Sequence, residues 1–247
     1  MRCVTTMDNK QLTKLISYFA MGDGGLYRRV NAKGYLLNAQ FIMNMKEENR
    51  DYIEWVSETV KNLTSVRIYE RKDYNTDGCT RKPQLRLESN CHPELSKLHE
   101  RIYTEDGHKG LDLHTLKLLD WESLAILFMC DGNSYEYLRE DVGMKNPSVN
   151  VTLNLKRLSE AEQLVLKQAI RDKLGIEFNI NKAGKYWCLR LRARDVNTFM
   201  DGIEPYMKDS FKYKIIRMKS PVKTGGDIVC SAQECVETYR NDESSYD

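Results

Sequence analysis

The sequence predicts an α+β chain made of two like halves, and three observations carry that prediction. An apolar helical run, LTKLISYFAMGDGG at 12–25, returns 108 residues later as WESLAILFMCDGN at 121–133. Each run is followed by the same succession of period-2 and period-3.6 patterns, the signatures of strands and helices. The 247 residues, 41% apolar and 30% charged, have ordinary soluble composition and suffice for one large domain or two smaller ones. The division falls at 1–112 for the first repeat with its extension and linker, 113–218 for the second, and 219–247 for a polar tail.

In the first half the apolar helix closes at Asp23-Gly24. YRRV and YLLNAQFIMNMK then read as two strands joined by a turn at Asn31-Ala32-Lys33-Gly34. A helical pattern runs from about Glu47 to Asn62. The strand patterns SVRIYERKDY and KPQLRLES follow, separated by the turn-rich NTDGCTR, and then a helix from about His92 to Tyr103. TEDGHKGLDLHTL, at 104–116, links the halves.

The second half repeats that order: strands near SYEYLRE and SVNVTLNLK, a helix from Ser159 to Leu174, strands IEFNIN and YWCLRLRA, and a helix from about Val196 to Met207. Ser159 followed three residues later by Glu162 has capping-box spacing, which makes that helix start the sharpest boundary. Each half reads helix, strand, strand, helix, strand, strand, helix. Beyond Met218 large apolar side chains are sparse, and a loosely attached tail is expected.

Several classes drop out. Seven cysteines without a CxxC pair read as reduced thiols, neither a disulfide framework nor a zinc site. Cys91, His92 and His99 lack the second cysteine pair of a structural metal cluster, and the four histidines read as surface or helix-end residues. No apolar run approaches the ~18 residues of a membrane span. The N-terminus has no apolar core before its first helix, so no secretory signal is expected, and the protein should work inside the cell, in the cytoplasm or an organelle.

Net charge is only +2, from 38 basic and 36 acidic residues, but its distribution is uneven. The strand segments 25–46, 65–88, 133–157 and 176–194 hold 19 basic and 8 acidic residues, a surplus of +11, while the rest of 1–218 sums to −6 and the tail to −3. Side chains alternate between the two faces of a strand. On that rule Arg190, Arg192 and Arg194 share one face, as do Asn38, Gln40, Asn44 and Lys46, and Asn150, Thr152, Asn154 and Lys156, with apolar residues opposite. Arg86 opposes Leu85 and Leu87. Arg28, Arg29, Arg67, Arg71 and Lys182 add to the basic strand segments. Arg, Lys, Asn and Gln are the side chains that contact phosphates and base edges, so these residues are candidates for a nucleic-acid interface.

Asp23-Gly24 and Asp131-Gly132 each close an apolar helix, where a carboxylate meets the negative end of the helix dipole, unfavourable by about 0.3–1 kcal/mol. The recurrence suggests a cation nearby. Were the two helices to pack side by side, Asp23 and Asp131 would meet, and paired carboxylates favour protonation or a bridging metal. All-oxygen ligation suits Mg²⁺, which supports phosphodiester hydrolysis.

ISYFAMGDG at 16–24 and LAILFMCDG at 124–132, in this double repeat, resemble the monomeric LAGLIDADG homing endonucleases. The second half, with NVTLNLKRLSEAE, KLGIEFNINK and EPYMKDSFKYKI, looks especially like the subgroup of the yeast mitochondrial omega-intron enzyme. The resemblance spans about 12–217 and implies two αββαββα units with saddle-shaped antiparallel sheets over double-stranded DNA, which those candidate interface residues would contact. It also implies a Mg²⁺-dependent double-strand break in a long asymmetric site by a monomer. By position it assigns Asp23 and Asp131 as metal-binding acids, the carbonyls of Gly22 and Cys130 as backbone ligands, and Lys109 and Lys214 as active-site lysines. The motif's small third residue is replaced by Tyr18 and Ile126. The alternative implied function is an intron maturase, binding intron RNA without cleavage.

Overall fold

The computed structural model describes residues 7–71, 83–138 and 147–219. Helix α1 (Asn9–Met21) is buried at nearly every position from Leu12 onward, as expected of a helix apolar on all sides. It leads into β1 (Gly24–Tyr27) and β2 (Gln40–Lys46), then α2 (Arg50–Lys61), β3 (Val66–Arg71), β4 (Gln84–Ser89) and α3 (Pro93–Ile102). A short helix, α4 (Leu113–Leu116), lies in the linker. The second half follows as α5 (Trp121–Asp131), β5 (Gly132–Tyr137), β6 (Ser148–Leu153), α6 (Glu160–Leu174), β7 (Phe178–Ala183), β8 (Tyr186–Leu191) and α7 (Val196–Ile203).

The two halves have one topology. Each forms a four-stranded antiparallel sheet, in order β1-β2-β4-β3 and β5-β6-β8-β7. Phe41, Met43, Met45, Leu85 and Leu87 of the first sheet, and Val151, Leu153, Leu189 and Leu191 of the second, enter one continuous core with α1 and α5. Strand alternation therefore does what the sequence predicts: one face of each sheet packs on helices. The capping box at Ser159 and Glu162 is formed, and Gly175 closes α6 at φ 69°, a left-handed conformation that glycine adopts without strain. His92 caps α3, its ring nitrogen accepting from the Glu94 amide. Among the described residues no helix is long and apolar enough to cross a membrane.

The structure moves several expected boundaries. Strand β1 begins at Gly24 and stops at Tyr27, so most of YRRV lies beyond it, and Val30 makes only an isolated bridge to Leu36. The Asn31–Gly34 turn is present, its Asn31 side-chain oxygen accepting from the Lys33 and Tyr35 amides. Strand β2 starts at Gln40, which leaves Asn38 outside it, where its amide oxygen accepts from Ser96 of α3. Strand β8 ends at Leu191, and Ala193–Asp195 form a 3-10 turn, so Arg194 does not continue the strand face of Arg190. The helix expected to reach Met207 ends at Ile203 and tightens into a 3-10 turn, Glu204–Tyr206, that contains Pro205. NTDGCTR and the tail from residue 220 onward lie outside the described residues.

The linker is part of the core, not a loose tether. Asp112 is 1% exposed and accepts from Ser17 of α1 and Arg101 of α3 while capping α4. Lys14 of α1 is 2% exposed, and its ammonium is held by Asp120 and Glu122 at the start of α5. A buried ammonium requires such partners, because an unpaired one would carry a large desolvation penalty.

Candidate active site and nucleic-acid interface

Helices α1 and α5 pack against each other, and their C-terminal ends meet where Gly22 faces Cys130. The approach is tightest at Gly22, where an added side-chain carbon would stand 2.5 Å from Cys130 Sγ. Tyr18 and Ile126, in place of the motif's small residue, are fully buried, and the close approach persists farther along at Gly22. The Tyr18 hydroxyl is buried without a hydrogen-bond partner.

Just beyond this contact the carboxylates of Asp23 and Asp131 come together. Asp23 meets solvent on its open side and is crowded on the others. Burial first, and the charge of Asp131 second, raise its pKa above the usual aspartate value, while the Cys130 thiol, Lys109 and Arg157 oppose the rise. The Cys130 thiol also contacts the buried Tyr52 hydroxyl at 3.2 Å, and burial pushes its own pKa up.

A lysine closes each helix end. Lys109 Nζ donates to the carbonyls of Gly22 and Gly24 at 2.8 and 2.7 Å. Lys214 Nζ donates to Phe128, Met129 and Gly132 at 3.2, 2.8 and 2.8 Å. Each offsets the negative end of a helix dipole and satisfies carbonyls that the helix leaves free. Burial lowers both pKa values, that of Lys109 to about 8. The fields of Asp23 and Asp131 reach both lysines, so the structure brings these four sequence-predicted residues to one place.

Arg157 is the site residue that the sequence reading missed. Its Nη1 lies 3.1 Å from Asp131 Oδ2, and its carbonyl is held by a ring nitrogen of His108 at 2.8 Å. Equivalent register exposes the signal that was available. Gly24 pairs with Met43, and Gly132 with Leu153. Four residues on, the first half has Glu47 and the second has Arg157, a charge reversal immediately after the matching MNMK and LNLK.

The donor set fits a hard divalent cation. Among the described residues no three His, Cys, Asp or Glu side chains gather to hold an ion. Two facing carboxylates, one with raised proton affinity, leave ligation to be completed by backbone carbonyls and water or phosphate oxygens, a pattern suited to Mg²⁺. The carbonyl of Gly22 already accepts from Lys109, whereas Lys214 bonds the neighbours of Cys130 and not the Cys130 carbonyl.

The outer sheet faces carry most of the candidate interface residues. Asn44, Lys46 and Arg190 are exposed there, with Gln40 and Thr152 partly so. The partly exposed Asn154 and the exposed Lys156 lie just past the end of β6. Lys182, exposed near the end of β7, shares the helix-packed face of Phe178 and Ile180 and not the outer one. Aromatic rings lie between the cations: Lys156 is over Tyr186, and Lys182 over Trp187. Asn150 is 8% exposed and donates to the Tyr135 hydroxyl, so it sits beneath the open face. Arg67 and Arg86 converge on Glu88 at 2.6 Å each, and Arg67 first among these contacts holds the Glu88 carboxyl down at about 2. Arg71 is exposed at the end of β3. Arg28 lies past β1 and pairs with Glu100 of α3, Arg29 is exposed beside it, and Arg192 and Arg194 both pair with Glu177.

The model of the LAGLIDADG DNA endonuclease family matches residues 19–199, most of the chain. The chain belongs to that family. Among solved structures, the homing endonuclease I-WcaI bound to its DNA recognition sequence has a TM-score of 0.65 at 21% identity, over 87% of this chain and 89% of that one. The meganuclease I-SmaMI bound to uncleaveable DNA reaches a TM-score of 0.53 at 13% identity, over 81% and 85%. At these identities the likeness to the two structures is one of fold. Curated relatives include the RecA proteins of Mycolicibacterium flavescens, 27% identical, and Mycolicibacterium chitae, 26% identical, over 87% and 79% of this chain. This LAGLIDADG chain spans about half the length of those relatives, 49% and 44%.

Proposed function

We propose that this LAGLIDADG protein is a site-specific DNA endonuclease that makes a Mg²⁺-dependent double-strand break in a long, asymmetric duplex site, acting as a monomer. The observation that carries the reading is the meeting of Asp23 and Asp131, delivered by equivalent helix ends at the level where two polar-faced sheets begin. Two sheets of one topology but different side chains would read two unlike half-sites. Lysines and arginines on their outer faces would set register through phosphates, and Asn and Gln would read bases.

Asp23, Asp131 and the carbonyls of Gly22 and Cys130 would hold the divalent ion. When bound, it would supply charge neutralisation at the phosphate and a lowered pKa for the attacking water. Hydrolysis adds the water oxygen to phosphorus and releases the sugar oxygen, which takes up the proton that water loses. Lys109 and Lys214 keep the helix ends closed and the carbonyls aimed, and add positive charge where the phosphate gains negative charge.

The test is incubation with Mg²⁺ and a duplex that joins the sequences flanking the reading frame. Both strands should be cut at one position. An intact duplex together with tight binding of the intron RNA would instead establish the maturase reading.

A further inference from the structure

We propose that Arg157 is a positioning residue for Asp131 alone, and that the two strands of the target are therefore cut by unequal half-sites. The inference rests on the endonuclease reading above. Its starting point is the break in the internal symmetry at one pair of equivalent positions.

Arg157 bonds Asp131 through Nη1, and its Nε is buried with no partner. Its side chain is mostly covered, at 23% exposure, and its backbone carbonyl is bonded by His108, the neighbour of Lys109. Tied at both ends, it can fix one carboxylate oxygen of Asp131 and leave the other turned to a ligand. The equivalent Glu47 does the opposite. It opens a 3-10 turn, pairs with Arg50 at 2.7 Å, and brings no cation to Asp23. Asp23 instead has the Cys130 thiol for a neighbour, itself in contact with Tyr52, with Lys109 and Arg157 acting on it only through their charge.

The backbone supports the same division. In the first half the Gly22 carbonyl is occupied by Lys109, while Lys214 passes over the equivalent Cys130 carbonyl. One carboxylate is thus fixed by a guanidinium beside a carbonyl its lysine does not bond. The other has no cation bonded to it and stands beside a carbonyl already in use.

The experiment follows each strand separately, on the duplex joining the flanking sequences, with either strand labelled. Arg157→Ala should slow one strand by roughly 10–100-fold, the usual range for removing a partner of a metal-ligating group, with nicked duplex accumulating. The other strand should stay within about twofold, a contrast that follows from the single bond to Asp131. Arg157→Lys, which keeps charge but not the fork, should recover part of the lost rate on the same strand. Glu47→Ala should leave the strand ratio unchanged. Melting curves and DNA binding in Ca²⁺ identify a misfolded variant, in which case Arg157→Lys and Arg157→Gln carry the comparison. Equal slowing of both strands in a folded, active background overturns the inference and leaves the endonuclease reading intact. A wild-type protein that cuts neither strand sinks both.

Discussion

The two halves share sheet order, helix order and the placing of an acid and a lysine, yet the groups around Asp23 and Asp131 differ. Asp131 has a guanidinium bonded to it, and Lys214 is sunk to 8% exposure under three carbonyls. Asp23 has a thiol and a less buried lysine that bonds two carbonyls. The difference teaches that a duplicated fold preserves what the backbone needs, a cation at each helix end, more closely than it preserves the surroundings of the reacting groups.

The strongest way to break the comparison is to disable each acid in turn. Asp23→Asn and Asp131→Asn should each reduce double-strand cleavage by at least about 1,000-fold, the worth of several kcal/mol of charge stabilisation, while binding in Ca²⁺ persists. Gel assays that resolve nicked from linear product check this. Survival of full double-strand cutting in either variant would show that the acids are helix-end residues only.

Next come the lysines, read by thermal melting without DNA. Lys214→Met should cost about 2–3 kcal/mol, because three carbonyls lose a buried donor, and Lys109→Met roughly 1 kcal/mol, because only two carbonyls lose a donor that is part-buried. Equal losses would mean that the two helix ends are energetically alike. Gly22→Ala should destabilise by about 1–3 kcal/mol through the clash with Cys130 Sγ. Pairing it with Cys130→Ala should restore part of the loss, and simple additivity of the two would place the strain elsewhere.

Smaller effects separate the sheet faces. Arg190→Ala should reduce the salt dependence of DNA binding by roughly one unit of slope, as for one lost phosphate contact, whereas Arg194→Ala, outside the strand and paired with Glu177, should change it less. Similar slopes for both variants would show that the break at Leu191 does not matter to the interface. The smallest effect concerns Glu88. Its folded pKa lies below the unfolded value, so its ion pairs stabilise the fold above about pH 4.5, and that contribution is lost as pH falls through about 2. Glu88→Gln should therefore lower stability by less than about 1 kcal/mol at pH 7, with the gap closing in acid. A gap that stays constant down to pH 2 would remove the ion pairs from the account.

Much of this was legible beforehand because the repeat reports itself twice. The order of elements, the apolar strand faces and the two Asp-Gly helix ends follow from periodicity and spacing, and the structure shows them. Strand ends were less legible. Alternation cannot tell that β8 stops at Leu191, since Arg192 and Arg194 continue the pattern while their guanidiniums are drawn to Glu177. Asn38 was misplaced for a like reason, a polar residue in phase with a strand it precedes. Arg157 was missed because a single arginine after a strand looks like surface charge until register sets it opposite Glu47.

Lys14 sets a limit on modularity. Its partners, Asp120 and Glu122, come from the other repeat, and Asp112 in the connecting segment is claimed by α1 and α3 at once. Cut into two separate chains, the first repeat would expose or bury an orphan ammonium, so the duplicated halves are no longer interchangeable parts. A chimera grafting this first repeat onto a foreign second one would have to import the acids at 120 and 122 along with the graft, or replace Lys14 with an apolar residue.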